Sequence, residues 1–131
     1  MQKSIKNMIK LNRLIYAASI EQPTNASLNI SDNEVFLNIN GVPRMIEIDF
    51  TGSMQVENLL PDGYYISIRD SKLTIINLLL RKTSKEKPIF RASGSYEIIS
   101  LNIITYLGDK IKGTINNVDK KRFVNFSTTK P

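Results

Sequence analysis

Between residues 34 and 126 the chain alternates hydrophobic and polar residues in short runs rich in Ile, Val, Tyr, Phe and Thr, and Gly, Pro, Asn, Asp or Ser ends each run. A period of two places alternate side chains on opposite faces, which is the signature of half-buried strands. Runs at 34–39 and 44–50 flank Asn40-Gly41, whose residue types suit the positive φ angles of a tight hairpin. A further strand is expected around 53–60. Pro61-Asp62-Gly63 follows as a turn, in which Pro presets φ and Gly accepts the left-handed position. Runs at 64–69 and 72–80 form a second hairpin over Asp70-Ser71, the latter becoming apolar on both faces near its end, as in a central or interface strand. A short strand at 89–92, a turn at Ser93-Gly94-Ser95, the longest run at 96–106, and runs at 110–115 and 122–126 complete the series. The spacing predicts an all-β fold, an antiparallel sandwich or partly closed barrel of about eight strands.

The first 33 residues break this rhythm. In residues 1–20, Ile5, Met8, Ile9, Asn12, Ile15 and Tyr16 fall at helical spacing while Lys3, Lys6, Lys10 and Arg13 lie largely on another side. The segment reads as a short basic amphipathic helix, or as an extended arm, because so short a helix is marginal in isolation. Residues 21–33 read as a linker or a weak edge strand around 26–30. The organisation expected is therefore a basic arm or helix over 1–20 and a single β domain over 21–131.

Charge divides the chain differently. Residues 1–20 carry a net +4, residues 21–63 a net −6 and residues 64–131 a net +8, so the overall +6 hides an acidic middle. Such blocks differ from the uniform basicity of a typical nucleic-acid binder. They suit head-to-tail contact between copies if the blocks also segregate in space. Ile, Asn and Lys together supply 44 of the 131 residues, so single Asn and Lys positions, and the Asn-X-Ser triplets they generate, carry little weight.

The chain has no His, Cys or Trp. That removes the commonest general base, the thiol nucleophile, thiolate and imidazole metal ligands, and any disulfide framework. The longest apolar stretch, at 73–80, is too short to cross a bilayer and is interrupted by Thr74 and Asn77, so no membrane partner is expected. Glu47 and Asp49 project from one face of one run, about 7 Å apart by strand geometry, a separation that suits paired carboxylates in glycoside hydrolysis or half of a hard-metal site. Neighbouring acids on a solvated face are far commoner. Ser71-Lys72 and Ser84-Lys85 contain the residue types of a serine–lysine dyad but lie at turns. The glycines are scattered singly, so no phosphate-cradling loop exists. No catalytic, cofactor or metal site is assigned.

The remaining candidate is a contact surface. Arg81, Lys82, Lys85, Lys87 and Arg91, followed by Lys110, Lys112, Lys120, Lys121 and Arg122, can meet phosphates or acidic partners. Tyr64, Tyr65, Phe90, Tyr96 and Tyr106 can stack on bases if they face outward, as in a single-strand-binding OB-like barrel. The partner-binding residues proposed from sequence are Lys3, Lys6, Lys10, Arg13, Arg81, Lys82, Lys85, Lys87 and Arg91.

The basic N-terminal segment, the cysteine-free β domain, the Asn/Ile/Lys bias and plain strand-and-turn passages such as Ile46-Glu-Ile-Asp-Phe-Thr-Gly52 and Leu60-Pro-Asp-Gly-Tyr-Tyr-Ile66 resemble the small virion structural proteins of tailed bacteriophages. The crAss-like group of gut phages is the nearest in style. The likeness lies in the general pattern, without a diagnostic motif, and carries no functional residue onto this chain. It implies a non-enzymatic capsid auxiliary, head-fibre or tail-ring component, needing no cofactor. Such a protein assembles in the host cytoplasm and resides in the virion, in contact with other virion proteins and copies of itself.

Overall fold

The computed structural model describes residues 20–117. They form ten strands: β1 (Ala26–Ser31), β2 (Glu34–Ile39), β3 (Met45–Gly52), β4 (Gln55–Asn58), β5 (Tyr64–Arg69), β6 (Lys72–Asn77), β7 (Phe90–Ser93), β8 (Tyr96–Ile104), β9 (Lys110–Lys112) and β10 (Thr114–Asn117). One sheet has the order β10-β1-β2-β7-β4 and the other β5-β6-β3-β8-β9. All pairings are antiparallel except β1 with β10. The architecture is a two-sheet sandwich rather than a closed barrel, and no helix occurs among the described residues. Lys3, Lys6, Lys10 and Arg13 of the expected arm, and the strand expected at 122–126, lie outside them.

Alternation explains the core. Leu28, Ile30, Val35 and Leu37 from the first sheet and Ile46, Ile48, Phe50, Leu73, Ile75, Leu101 and Ile103 from the second belong to one buried cluster. Each such side chain contributes about 1.5–3 kcal/mol on burial. A single irregularity interrupts the pattern. Where β3 meets β8, Asp49 lies opposite Ser100 but Phe50 opposite Ile98, so Ile99 is an extra residue left outside the core. This bulge lets both Ile98 and Leu101, three positions apart, point inward.

The structure corrects the sequence reading at four connections. First, β1 is not a linker or edge strand: it lies inside its sheet, between β2 and β10. Its hairpin with β2 turns over Asp32-Asn33, whose φ angles of 51° and 64° are those of the tight mirror-image turn that matches strand twist. Second, Asn40-Gly41 makes no hairpin, because β2 and β3 belong to different sheets. Asn40 instead accepts the N–H groups of Thr24 and Asn25 on its side-chain oxygen at 2.9 and 3.0 Å. Gly41 is needed there for space, since a Cβ would lie 2.5 Å from the nitrogen of Pro23.

Third, β6 ends at Asn77 rather than Leu80, and Leu78 and Leu79 are exposed. Fourth, the run at 110–115 is two strands, β9 in one sheet and β10 in the other, with the corner at Gly113. Strands that change sheet need such a bend. A Cβ on Gly113 would approach Leu101 Cδ2 to 2.4 Å and the carbonyl oxygen of Ala26 to 2.9 Å. The hairpin over Asp70-Ser71, the strand near 53–60, the short strand near 89–92 and the long strand β8 stand where the pattern expects them.

Gly113→Ala is therefore expected to destabilise the protein by about 1–3 kcal/mol, the usual cost of overpacking a filled core. A urea denaturation midpoint equal to that of the unaltered chain would show that the corner can give way.

Candidate functional site

The outer face of the β5-β6-β3-β8-β9 sheet carries three rows of side chains set by strand register. One row runs Arg69, Lys72, Asp49, Ser100 and the next Ser67, Thr74, Glu47, Asn102, Lys112. The third runs Tyr65, Ile76, Met45, Ile104, Lys110. Neighbours in a row face one another across adjacent strands, so the character of each row is a property of the pairing and not of any one strand.

The two carboxylates singled out from sequence sit in the first two rows, on one face as expected. Glu47 is only 18% exposed and lies between two ammonium groups, 3.6 Å from Lys72 Nζ and 3.9 Å from Lys110 Nζ. Asp49 accepts the Ser100 hydroxyl at 2.8 Å and lies 4.0 Å from Lys72 Nζ. Both carboxylates therefore balance cations from neighbouring strands. Beside them an open groove of about 670 Å³ is lined by Asp49, Thr51, Ser67, Arg69, Lys72 and Ile99. Among the described residues no cluster of three or more His, Cys, Asp or Glu could hold a metal ion.

Apart from Lys110 the third row is apolar, and further exposed leucines lie beyond it at the same end of the sheet. Tyr65 is 62% exposed, and Leu78, Leu79 and Leu107 are exposed in the connections that follow β6 and β8. Asn77 holds this end together. Its amide donates to the carbonyls of Pro43 at 2.8 Å and Arg81 at 2.9 Å, and its side-chain oxygen accepts the Arg81 N–H at 3.1 Å. Its backbone N–H donates to the Arg44 carbonyl at 2.9 Å, and its own carbonyl accepts the Tyr106 hydroxyl at 2.6 Å. Tyr64 donates its hydroxyl to the Arg81 carbonyl as well. Burial is the main reason that the Tyr64 phenol is pushed up to about 12, with Tyr106 adding to the effect and Arg81 opposing it. Burial also raises the Tyr106 phenol, against the pull of Arg44.

The basic residues proposed from sequence are divided by the fold. Arg81, Lys82, Lys85 and Lys87 are exposed on one loop, and Lys82 lies 3.7 Å from Glu21. Arg91 belongs elsewhere: on β7 it bridges Glu34 and Glu57, with one guanidinium nitrogen 3.1 Å from each. The aromatic set divides too. Tyr64 and Phe90 are buried, Tyr106 binds Asn77, and Tyr96 donates its hydroxyl to Asn33 at 3.0 Å, leaving Tyr65 as the most open ring. Charge also redistributes. Residues 20–117 contain eleven acids and ten bases, so the net positive charge resides in residues 1–19 and 118–131.

Sequence reasoning missed the apolar row and the Asn77 network. The row's residues come from four strands, and an Asn interrupting an apolar run was the only local sign of the network.

Two outcomes are expected at this end. Asn77→Ala leaves the Arg81 N–H and the Pro43 carbonyl without their side-chain partner, at about 1–3 kcal/mol for each group left buried and unbonded, while the Arg81 carbonyl keeps the Tyr64 hydroxyl. The variant should unfold at lower urea and be cut faster by protease at 81–88. For Tyr64, the unfolded chain releases its proton near pH 10 while the folded chain retains it to about pH 12. The folded state thus binds more protons across that window, and stability falls as pH rises through it. Tyr64→Phe should lose that component of the alkaline stability loss, as read by denaturation at a series of pH values.

Comparison of the chain with models of protein families, with curated proteins and with solved structures finds no match.

Proposed function

We propose that the protein is a non-enzymatic structural component of a virus particle, a capsid auxiliary, head-fibre or tail-ring subunit acting through protein–protein contacts. The observation that carries this reading is the apolar surface at one end of the second sheet. There exposed Leu78, Leu79 and Leu107 follow directly on the strands that carry the row Tyr65, Ile76, Met45 and Ile104. Single exposed hydrophobic residues are ordinary, whereas several gathered at one end and rimmed by charge are characteristic of contact surfaces. Arg44, Arg81 and Lys110 lie in or beside the same end. Its partners in this proposal are other virion proteins and copies of the chain, within a particle assembled in the host cytoplasm.

Net charge favours the same reading. The near-neutral sandwich can approach another copy without strong repulsion, while residues 1–19 and 118–131 carry the net positive charge that acidic surfaces of a neighbour would attract. A single-stranded nucleic-acid binder is the second reading, favoured by the exposed loop bases Arg81, Lys82, Lys85 and Lys87. It ranks lower because Arg91 is held between two carboxylates and, among the described residues, Tyr65 alone presents a largely open ring.

Native mass spectrometry of the full chain is expected to show a defined oligomer, and removal of residues 1–20 to reduce its size or weaken it. A monomer at every concentration, with affinity for single-stranded DNA that falls steeply with salt and is lost when Lys82, Lys85 and Lys87 are neutralised, would select the second reading.

A further inference from the structure

The four sheet edges are not equivalent. The edge strands β4, β9 and β10 have four, three and four residues, and β9 carries Lys110 and Lys112. Shortness and lysine are common ways of preventing an edge from recruiting another strand. β5 has six residues, pairs with β6 along its whole length, and has no described strand on its other side. It contains no Pro, and no register shift interrupts its pairing with β6. Until Arg69 it reads Tyr-Tyr-Ile-Ser-Ile, with Ile68 38% exposed although it lies on the core-facing side of the strand.

Register shows which backbone groups this edge offers. Leu78 N–H donates to the Gly63 carbonyl at 2.8 Å, so residues 63, 65, 67 and 69 bond to β6. By antiparallel alternation the N–H and C=O groups of Tyr64, Ile66 and Ile68 point away from the sheet. Another strand can bond only to these three.

We infer that β5 is a homotypic interface in which two copies pair β5 antiparallel, with Ser67 opposite Ser67 of the second copy, and join their sheets into one. The inference rests on the assembly reading and names the surface. This register places Ile66 opposite Ile68 twice, and both are residues with outward backbone groups, so each pair exchanges two hydrogen bonds. On the outer face it places Tyr65 opposite Arg69 of the other copy, also twice, an aromatic ring against a guanidinium. No like charges face one another within the strand. Moving the centre to Ile66 sets Asp62 opposite Asp70, and moving it to Tyr65 or to Ile68 leaves Arg69 opposite Pro61 or Ser67 with no ring or acid to meet. Charge and ring complementarity therefore select a second copy in one register. The contact is isologous and closes as a pair.

The absence of cysteine makes the test direct. In this register position 67 is a non-hydrogen-bonded pair with Cα atoms about 4.5 Å apart, within disulfide reach. Ser67 is exposed, so Ser67→Cys should fold normally. Under mild oxidation it is expected to form a linked dimer at least tenfold faster than Tyr65→Cys or Arg69→Cys, whose thiols are offset along the strand. Ile68→Pro removes an outward-facing N–H and leaves the β5–β6 bonds intact, and should weaken the dimer about tenfold or more by analytical ultracentrifugation.

Equal linking rates at the three positions would overturn the inference. If the native chain is oligomeric yet Ser67→Cys stays unlinked, the β5 pairing is wrong and the assembly reading stands. A chain that is monomeric at all concentrations removes both. Linking that occurs only after residues 1–20 are deleted would show that the chain's own N-terminal segment occupies the edge, which also overturns the pairing.

Discussion

The buried amide of Asn77 ties together the end of the molecule on which the rest of this reading depends. An amide removed from water is unfavourable unless its donors and acceptor are used, and here all are. Because its partners are backbone groups of Pro43 and Arg81, the residue holds the approach to β3 and the start of the basic loop in one geometry. Its own backbone adds Arg44 and Tyr106, and the Tyr64 hydroxyl reinforces the Arg81 carbonyl. Five chain segments thus converge where β6 stops. That convergence turns Leu78 and Leu79 outward, although the sequence around them reads as a continuing strand.

A second constraint acts on the sandwich as a whole. Each sheet has one apolar face, and the two must cover each other, so the chain has to cross between sheets repeatedly. The crossings are tight, and Gly41 and Gly113 stand where a Cβ would enter backbone or core. The outer faces then acquire their composition from whichever strands the topology brings together. Glu47 and Asp49 meet Lys72 and Lys110 because β6 and β9 fall on the same sheet as β3. The acidic and basic blocks of the sequence are interleaved in this way, and within residues 20–117 they nearly cancel.

Much of the strand content was legible in the alternation of apolar and polar residues. The hairpin over Asp70-Ser71 and the long strand β8 follow from local pattern and turn residues alone. Asn40-Gly41 misled because its composition suits a hairpin, whereas burial of Val42 and Pro43 draws the chain across to the other sheet. Asp32-Asn33 made the hairpin without a glycine, since Asp and Asn tolerate positive φ better than most residues. The candidate surface was less legible. Tyr65, Ile76, Met45 and Ile104 are up to 59 positions apart and become a row only through pairing.

By itself the sequence determined the fold class, the position of most strands, and the lack of histidine and cysteine chemistry, because these depend on residue type and on spacing within a few positions. Tertiary structure decided which turns are hairpins and which are corners, which charges neutralise one another, and which long strand, among the described residues, stands at a sheet edge. Those outcomes depend on what lies across a sheet or beyond an edge, and a one-dimensional pattern with a period of two records only which face a residue is on. It does not record the neighbour.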